Sequence, residues 1–106
     1  MRLDELKSLG GFVDAEPVKK RIEWRGPNGQ QHAGDVFVVR QPFGVVERAV
    51  MSNDKDRSQG ARLISLCIRL GDNADEQLNY EQAYNLTPAL AWAFVGAIND
   101  VNDPKS

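Results

Sequence analysis

His32 and Cys67 are the only histidine and the only cysteine in a chain of 106 residues, and they bound the nucleophilic and metal chemistry open to it. A thiol nucleophile needs a base beside it. Cys67 instead falls on an apolar helical stripe with Leu63, Ile64 and Ile68, where a thiol behaves as a small buried hydrophobe. His32 lies beside a turn with no cysteine near it, and a single cysteine leaves neither an intrachain disulfide nor a cysteine metal cluster. Two acidic runs have the oxygen-rich look of calcium loops. Asp54-Lys55-Asp56-Arg57-Ser58 fails as an EF-hand because Gly60 comes one place late and Ser65 stands where a bidentate glutamate is required. Asp72-Asn73-Ala74-Asp75-Glu76 fails because Ala74 occupies a ligand position. No phosphate-cradling, zinc-protease or nucleophile-elbow motif occurs. The expectation is no catalytic, cofactor-binding or metal residue.

Binding chemistry is better represented. Lys19, Lys20, Arg21 and Arg25 flank Trp24, a combination that could hold nucleic acid by phosphate contact and base stacking. Strand alternation divides those cations between two faces and Glu23 dilutes one of them, so a solvated strand face is expected and nucleic acid is not. Trp92 and Phe94 stand two places apart on a helix and point to different sides. Phe94 belongs to the inner seam. Trp92 either completes the core, the default for so large an apolar ring, or protrudes as a contact residue. Leu3, Leu6, Trp24 and Trp92 are the candidate protein-contact residues.

The elements that place them follow from periodicity. Leu3, Leu6 and Leu9 predict a short helix over 2–9, with Asp4 and Glu5 in its first turn and Gly10-Gly11 as its stop. So short a helix is marginal without tertiary support, so the 2–12 arm is expected to dock on a neighbour. Residues 18–24 alternate, with Val18, Ile22 and Trp24 on one face. Arg25-Gly26-Pro27-Asn28-Gly29 supplies turn chemistry, and a β-branched run from Asp35 to Arg40 completes a hairpin whose open edges need pairing or covering. Helices are predicted over 43–51, 58–70, 79–86 and 88–102, with Thr87-Pro88 as N-cap and N1 of the last. Gly71 suits a left-handed cap, 72–77 reads as a polar loop, and 103–106 as a flexible tail. The fold class is α+β: a β-hairpin with four to five helices in one small domain spanning 1–106. Residues 58–70 and 88–102 are expected to provide most of its core, Leu63 and Phe94 included.

Composition is that of a globular protein, 42% apolar and 26% charged, with a net charge of −2 that opposes general affinity for nucleic acid or anionic membrane. No stretch approaches the ~20 apolar residues that span a bilayer, and the charged start Met1-Arg2-Leu3-Asp4-Glu5 is no signal peptide. A cytoplasmic protein is expected.

Two stretches carry a resemblance that reaches beyond this chemistry. One is Leu3-Asp4-Glu5-Leu6-Lys7-Ser8-Leu9-Gly10-Gly11-Phe12-Val13 with Pro17-Val18-Lys19-Lys20-Arg21-Ile22-Glu23-Trp24 behind it. The other is Leu78-Asn79-Tyr80-Glu81-Gln82-Ala83-Tyr84-Asn85-Leu86-Thr87-Pro88-Ala89-Leu90, leading into a final helix that ends Ala97-Ile98-Asn99-Asp100-Val101-Asn102. In this order, over about residues 2–102, the chain resembles the tail assembly chaperones of long-tailed bacteriophages and prophages. The resemblance implies a non-enzymatic protein of the host cytoplasm, absent from the mature virion, that coats the tape measure protein and helps recruit tail tube subunits. It also implies a longer, frameshifted form that contacts the tail tube protein. Asp103-Pro104-Lys105 can be written GAC CCA AAG, which contains a slippery heptamer, so this chain is expected to be the shorter product. Self-association through the arm or the hairpin edge fits a coat, in which many weak contacts sum. The competing expectation is a minor tail or tail completion protein retained in the virion.

Overall fold

The computed structural model of the protein describes residues 1–14, 16–50 and 58–102. The alternating segment forms β1 (Val18–Arg25), with Ile22 buried and Val18, Lys20 and Trp24 half-buried on the same face. The turn at Pro27–Gly29, with Gly29 at φ +80°, returns the chain into β2 (Gln31–Val38). This strand begins four residues earlier than the apolar run suggests. Gln31, His32, Ala33 and Gly34 pair opposite Arg25, Trp24, Glu23 and Ile22, so the β1 ladder carries polar residues into the strand that their own propensities do not favour.

Helix α2 (Phe43–Val50) follows, and α3 (Gln59–Cys67) starts at Ser58, whose Oγ accepts the Ala61 N–H at 3.1 Å. The helix predicted to continue to residue 70 stops at Cys67, and Ile68–Leu70 is a strand, β3. The end of α3 shows why. Its last carbonyls are claimed from elsewhere: Ser65 by Gln77 Nε2 at 2.6 Å, Leu66 by Gln41 Nε2 at 2.6 Å and Arg69 Nη1 at 3.0 Å, and Cys67 by the Val39 N–H at 2.7 Å. These partners satisfy groups that a helix end leaves open and release Ile68 to pair with Val38. Gly71, at φ +86°, turns the chain, and the final part of the predicted polar loop is a two-residue strand, β4 (Glu76–Gln77), paired with β3. The sheet is antiparallel in the order β1-β2-β3-β4. The β2 edge is therefore paired at its end, at Phe37 and Val38, while β1 remains at the border.

Helix α4 (Tyr80–Tyr84) opens on a reciprocal capping box: the Gln82 N–H donates to Asn79 Oδ1 at 2.8 Å, and the Asn79 N–H to Gln82 Oε1 at 3.0 Å. Pro88 begins α5 (Pro88–Asn102), which lies across β1 and packs on α3. Phe94, Ala97, Ile98 and Val101 meet Ile22, Val36, Val38, Ile64, Cys67 and Ile68 in the core. Leu63, expected among them, is half-buried; Ile64 takes its place at 2% exposure. With its sheet and five helices, the described part of the chain is the α+β architecture that the sequence predicts, enlarged by two short strands. The tail 103–106 and the run Asp54–Arg57 lie outside the described residues.

Candidate protein-binding surface

The amino-terminal arm is built to hold itself. In α1 (Leu3–Ser8) the Gly11 N–H donates to the Leu6 carbonyl at 2.8 Å and the Gly10 N–H to the Lys7 carbonyl at 3.3 Å, with Gly10 at φ +77°. This paired closure, with its left-handed residue between helix and exit, defines a Schellman stop. Leu6 folds back over Gly11, where even a Cβ would meet its side chain at 2.5 Å. No residue of α1 is buried. Leu3 is 60% exposed and Leu9 73%, and beyond the stop Phe12 and Val13 are also exposed. The result is a run of apolar side chains that the described residues leave largely exposed.

A second apolar surface lies where α3, α4 and α5 converge. There a groove of about 230 Å³ is lined by Ala61, Ile64, Ala83, Leu86, Ala91 and Val95, with Tyr84 and Trp92 among its walls. Trp92 is 71% exposed, which overturns its default place in the core, and Tyr84 is 60% exposed. The first turns of α5 give the reason: Leu90, Ala91, Ala93 and Phe94 all face neighbours, and the arc left over holds Ala89 and Trp92. Tyr80 stacks on Tyr84 with ring centroids 6.0 Å apart, and its Oη accepts the Ser58 N–H at 2.6 Å, tying α4 to the head of α3. Both wall aromatics thus stand on elements fixed from below. Aromatic rings with a polar tip and an apolar body are the side chains that anchor protein interfaces.

Trp24 belongs to neither surface. It is half-buried at the far end of β1 and stacks against His32, its partner across the ladder, at 5.3 Å between ring centroids. The four predicted contact residues therefore divide: Leu3 and Leu6 share the arm, Trp92 borders the groove, and Trp24 caps the hairpin. Tyr84, Leu9 and Phe12 join the exposed set without having been singled out. The arm and the groove stand apart, since Phe12 and Val13 border the last turn of α5 at Val101 and Asn102, while Trp92 is in its second turn. At about 1.5 Å of rise per residue, some 14 Å of helix separates them.

The residues with reactive potential are otherwise engaged. Cys67 is buried beneath α5; loss of solvent raises its thiol above the usual 9.0, and the nearby Arg69 guanidinium offsets part of that rise. His32 is exposed beside Trp24. Lys19 pairs with Asp35 at 3.8 Å, Lys20 with Asp100 at 3.9 Å, and Arg21 with Glu23 at 4.0 Å, so three of the four cations flanking Trp24 face an acid. Among the described residues, no group of three histidine, cysteine or acidic side chains is placed to hold a metal ion. No described helix is long and apolar enough to cross a membrane.

With two exposed apolar surfaces and no assembled reactive group among the described residues, comparison with known proteins becomes decisive. A model of the family described as "Phage tail assembly chaperone, TAC" matches residues 4–102. The chain belongs to that family. No curated protein and no solved structure matches the chaperone. The match runs from Asp4 in the arm through the sheet to the last turn of α5, so it covers the fold rather than one motif.

Proposed function

We propose that this chaperone coats the tape measure protein in the host cytoplasm, keeping that long apolar helical client soluble until tail tube subunits assemble around it, and then leaves the particle. The observation that carries the reading is Trp92, 71% exposed on a helix that buries Phe94, Ala97, Ile98 and Val101, and lining one apolar groove with Tyr84. A solvent-facing tryptophan on a rigid helix wall suits a client whose own surface is apolar. The arm, with Leu3 and Leu6, supplies a second weak contact. A coat on a long rod gains its strength from repetition, so modest sites at each copy suffice and release stays possible. Catalysis has no part in this reading. Recruitment of the tail tube protein falls to a longer, frameshifted form.

The test is co-expression with the tape measure protein. A client that becomes soluble and elutes with many copies of the chaperone supports coating, provided that Trp92→Ala reduces the co-elution. A client that stays insoluble while the chaperone elutes alone defeats the reading. Recovery of the chaperone from purified virions would favour a retained minor tail or completion protein instead.

A further inference from the structure

The border strand of the sheet has a pattern that the client-binding reading leaves unused. Two hydrogen bonds fix which groups it offers. The Gly26 N–H donates to the Gln30 carbonyl at 2.7 Å, extending the register that sets Arg25 opposite Gln31 and Trp24 opposite His32. Bonded and non-bonded pairs alternate along an antiparallel ladder, so Trp24, Ile22 and Lys20 bond to β2 as Gly26 does. The Val39 N–H, given to Cys67, fixes the same phase from the other side: the odd-numbered residues of β2 face β3, and the even-numbered ones face β1. The backbone N–H and C=O groups of Lys19, Arg21, Glu23 and Arg25 therefore point away from the sheet. All four residues are exposed.

We propose that this edge pairs with the same edge of a second copy, antiparallel and centred on Ile22, joining two sheets into one. In that register Lys19 faces the second copy's Arg25, Arg21 faces its Glu23, and all four outward-facing residues on each chain bond. Centring on Arg21 or Glu23 sets that residue against its own copy, and any larger shift leaves half the edge unpaired. Charged side chains on a border strand normally repel a second strand. Here the two-fold relation adds two opposed Arg–Glu pairs across the seam to the Arg21–Glu23 pair that each strand already holds at 4.0 Å, a stabilising cross-strand arrangement. The outer like-charged pair is relieved because Lys19 already has Asp35 at 3.8 Å.

The space beside the edge suits the same occupant. A cleft of about 190 Å³ runs between β1 and α5, and Ala93, Gly96 and Ala97 form its helical wall. A Cβ placed on Gly96 meets nothing within 4 Å, so the flank of α5 is open to an approaching copy. The two-fold axis stands normal to the sheet and keeps both α5 helices on one face, as an isologous interface requires. Each dimer then carries two Trp92 grooves, although pairing itself does not depend on client binding.

The experiment is the mass of the full chain by light scattering and sedimentation equilibrium over a range of concentrations. A dimer is expected. Arg21→Glu and Glu23→Arg each replace both central attractions by repulsions and should weaken the dimer about tenfold or more, whereas the double variant R21E/E23R should restore it. Arg21→Pro removes an outward N–H and no bond to β2, so it should give monomers with unchanged circular dichroism. A chain that is monomeric at every concentration overturns the proposal. So does a dimer indifferent to both single swaps and to the proline, or one that the double swap fails to rescue.

Discussion

Helices α1 and α5 are built from similar apolar material and meet opposite fates. Every side chain of α1 stays clear of the core, whereas α5 buries Phe94, Ala97, Ile98 and Val101. Length decides much of this. Six residues make less than two turns and cannot carry a seam across a sheet, while fifteen span four turns and reach from the groove to the root of the arm. The stop of α1 is nonetheless a complete Schellman closure. Local hydrogen bonding can define a helix that tertiary packing does not use, and such a helix keeps its apolar face for something else.

The comparison can be broken first at Phe94. Phe94→Ala should cost about 3–5 kcal/mol, measured by chemical denaturation, because α5 has no second large ring in its buried seam. A negligible change would mean that α5 is no more integrated than α1. A smaller effect comes from Cys67, which reports on the same packing through pH. Burial raises its thiol pKa above 9.0, so the unfolded chain loses that proton first. The contribution is complete below about pH 9 and should decline as pH rises from there toward the folded-state pKa, with Cys67→Ala removing that part of the slope in thermal midpoint. An unaltered slope in the variant would deny the burial. The smallest effects on stability belong to the uncovered residues. Trp92→Ala, and Leu3→Ala with Leu9→Ala, should each shift unfolding by no more than about 0.5 kcal/mol while reducing client co-elution. A large loss of stability in either would show that the surface is structural.

Much of this arrangement is legible in the residues. Gly10-Gly11, Thr87-Pro88 and the alternation from Val18 to Trp24 mark their elements because each signal is local. The errors fall where a distant segment decides. Ile68-Arg69-Leu70 continues the helical stripe of Ile64 and Cys67 and also alternates like a strand, and only Val38 and Val39, some thirty places earlier, settle which it becomes. Leu63 and Ile64 are neighbours on one stripe, and the angle at which α5 crosses α3 selects Ile64. Trp92 is equally undecidable from its helix, since its exposure follows from what Leu90, Ala91, Ala93 and Phe94 already occupy. Tyr80 and Tyr84 lie one turn apart with identical chemistry, and the bond from Ser58 to Tyr80 determines which ring faces outward.

The late pairing at the end of β2 has a consequence in time. The hairpin of β1 and β2 is local and can close within about 1–10 μs of its synthesis. The strand that pairs with the end of its second edge begins at Ile68, 30 positions after its partner Val38. At roughly 5–20 residues per second on the ribosome, each nascent chain should carry a hairpin open on both sides for about 2–6 s. Neighbouring chains on one message would meet during that interval, with β1 still offering the edge it keeps after folding and β2 offering at Phe37 and Val38 a stretch that β3 soon takes. Synthesis rate thus becomes a variable of assembly: slower translation through α3 should widen the interval for mispairing at β2 and leave pairing at β1 unaffected.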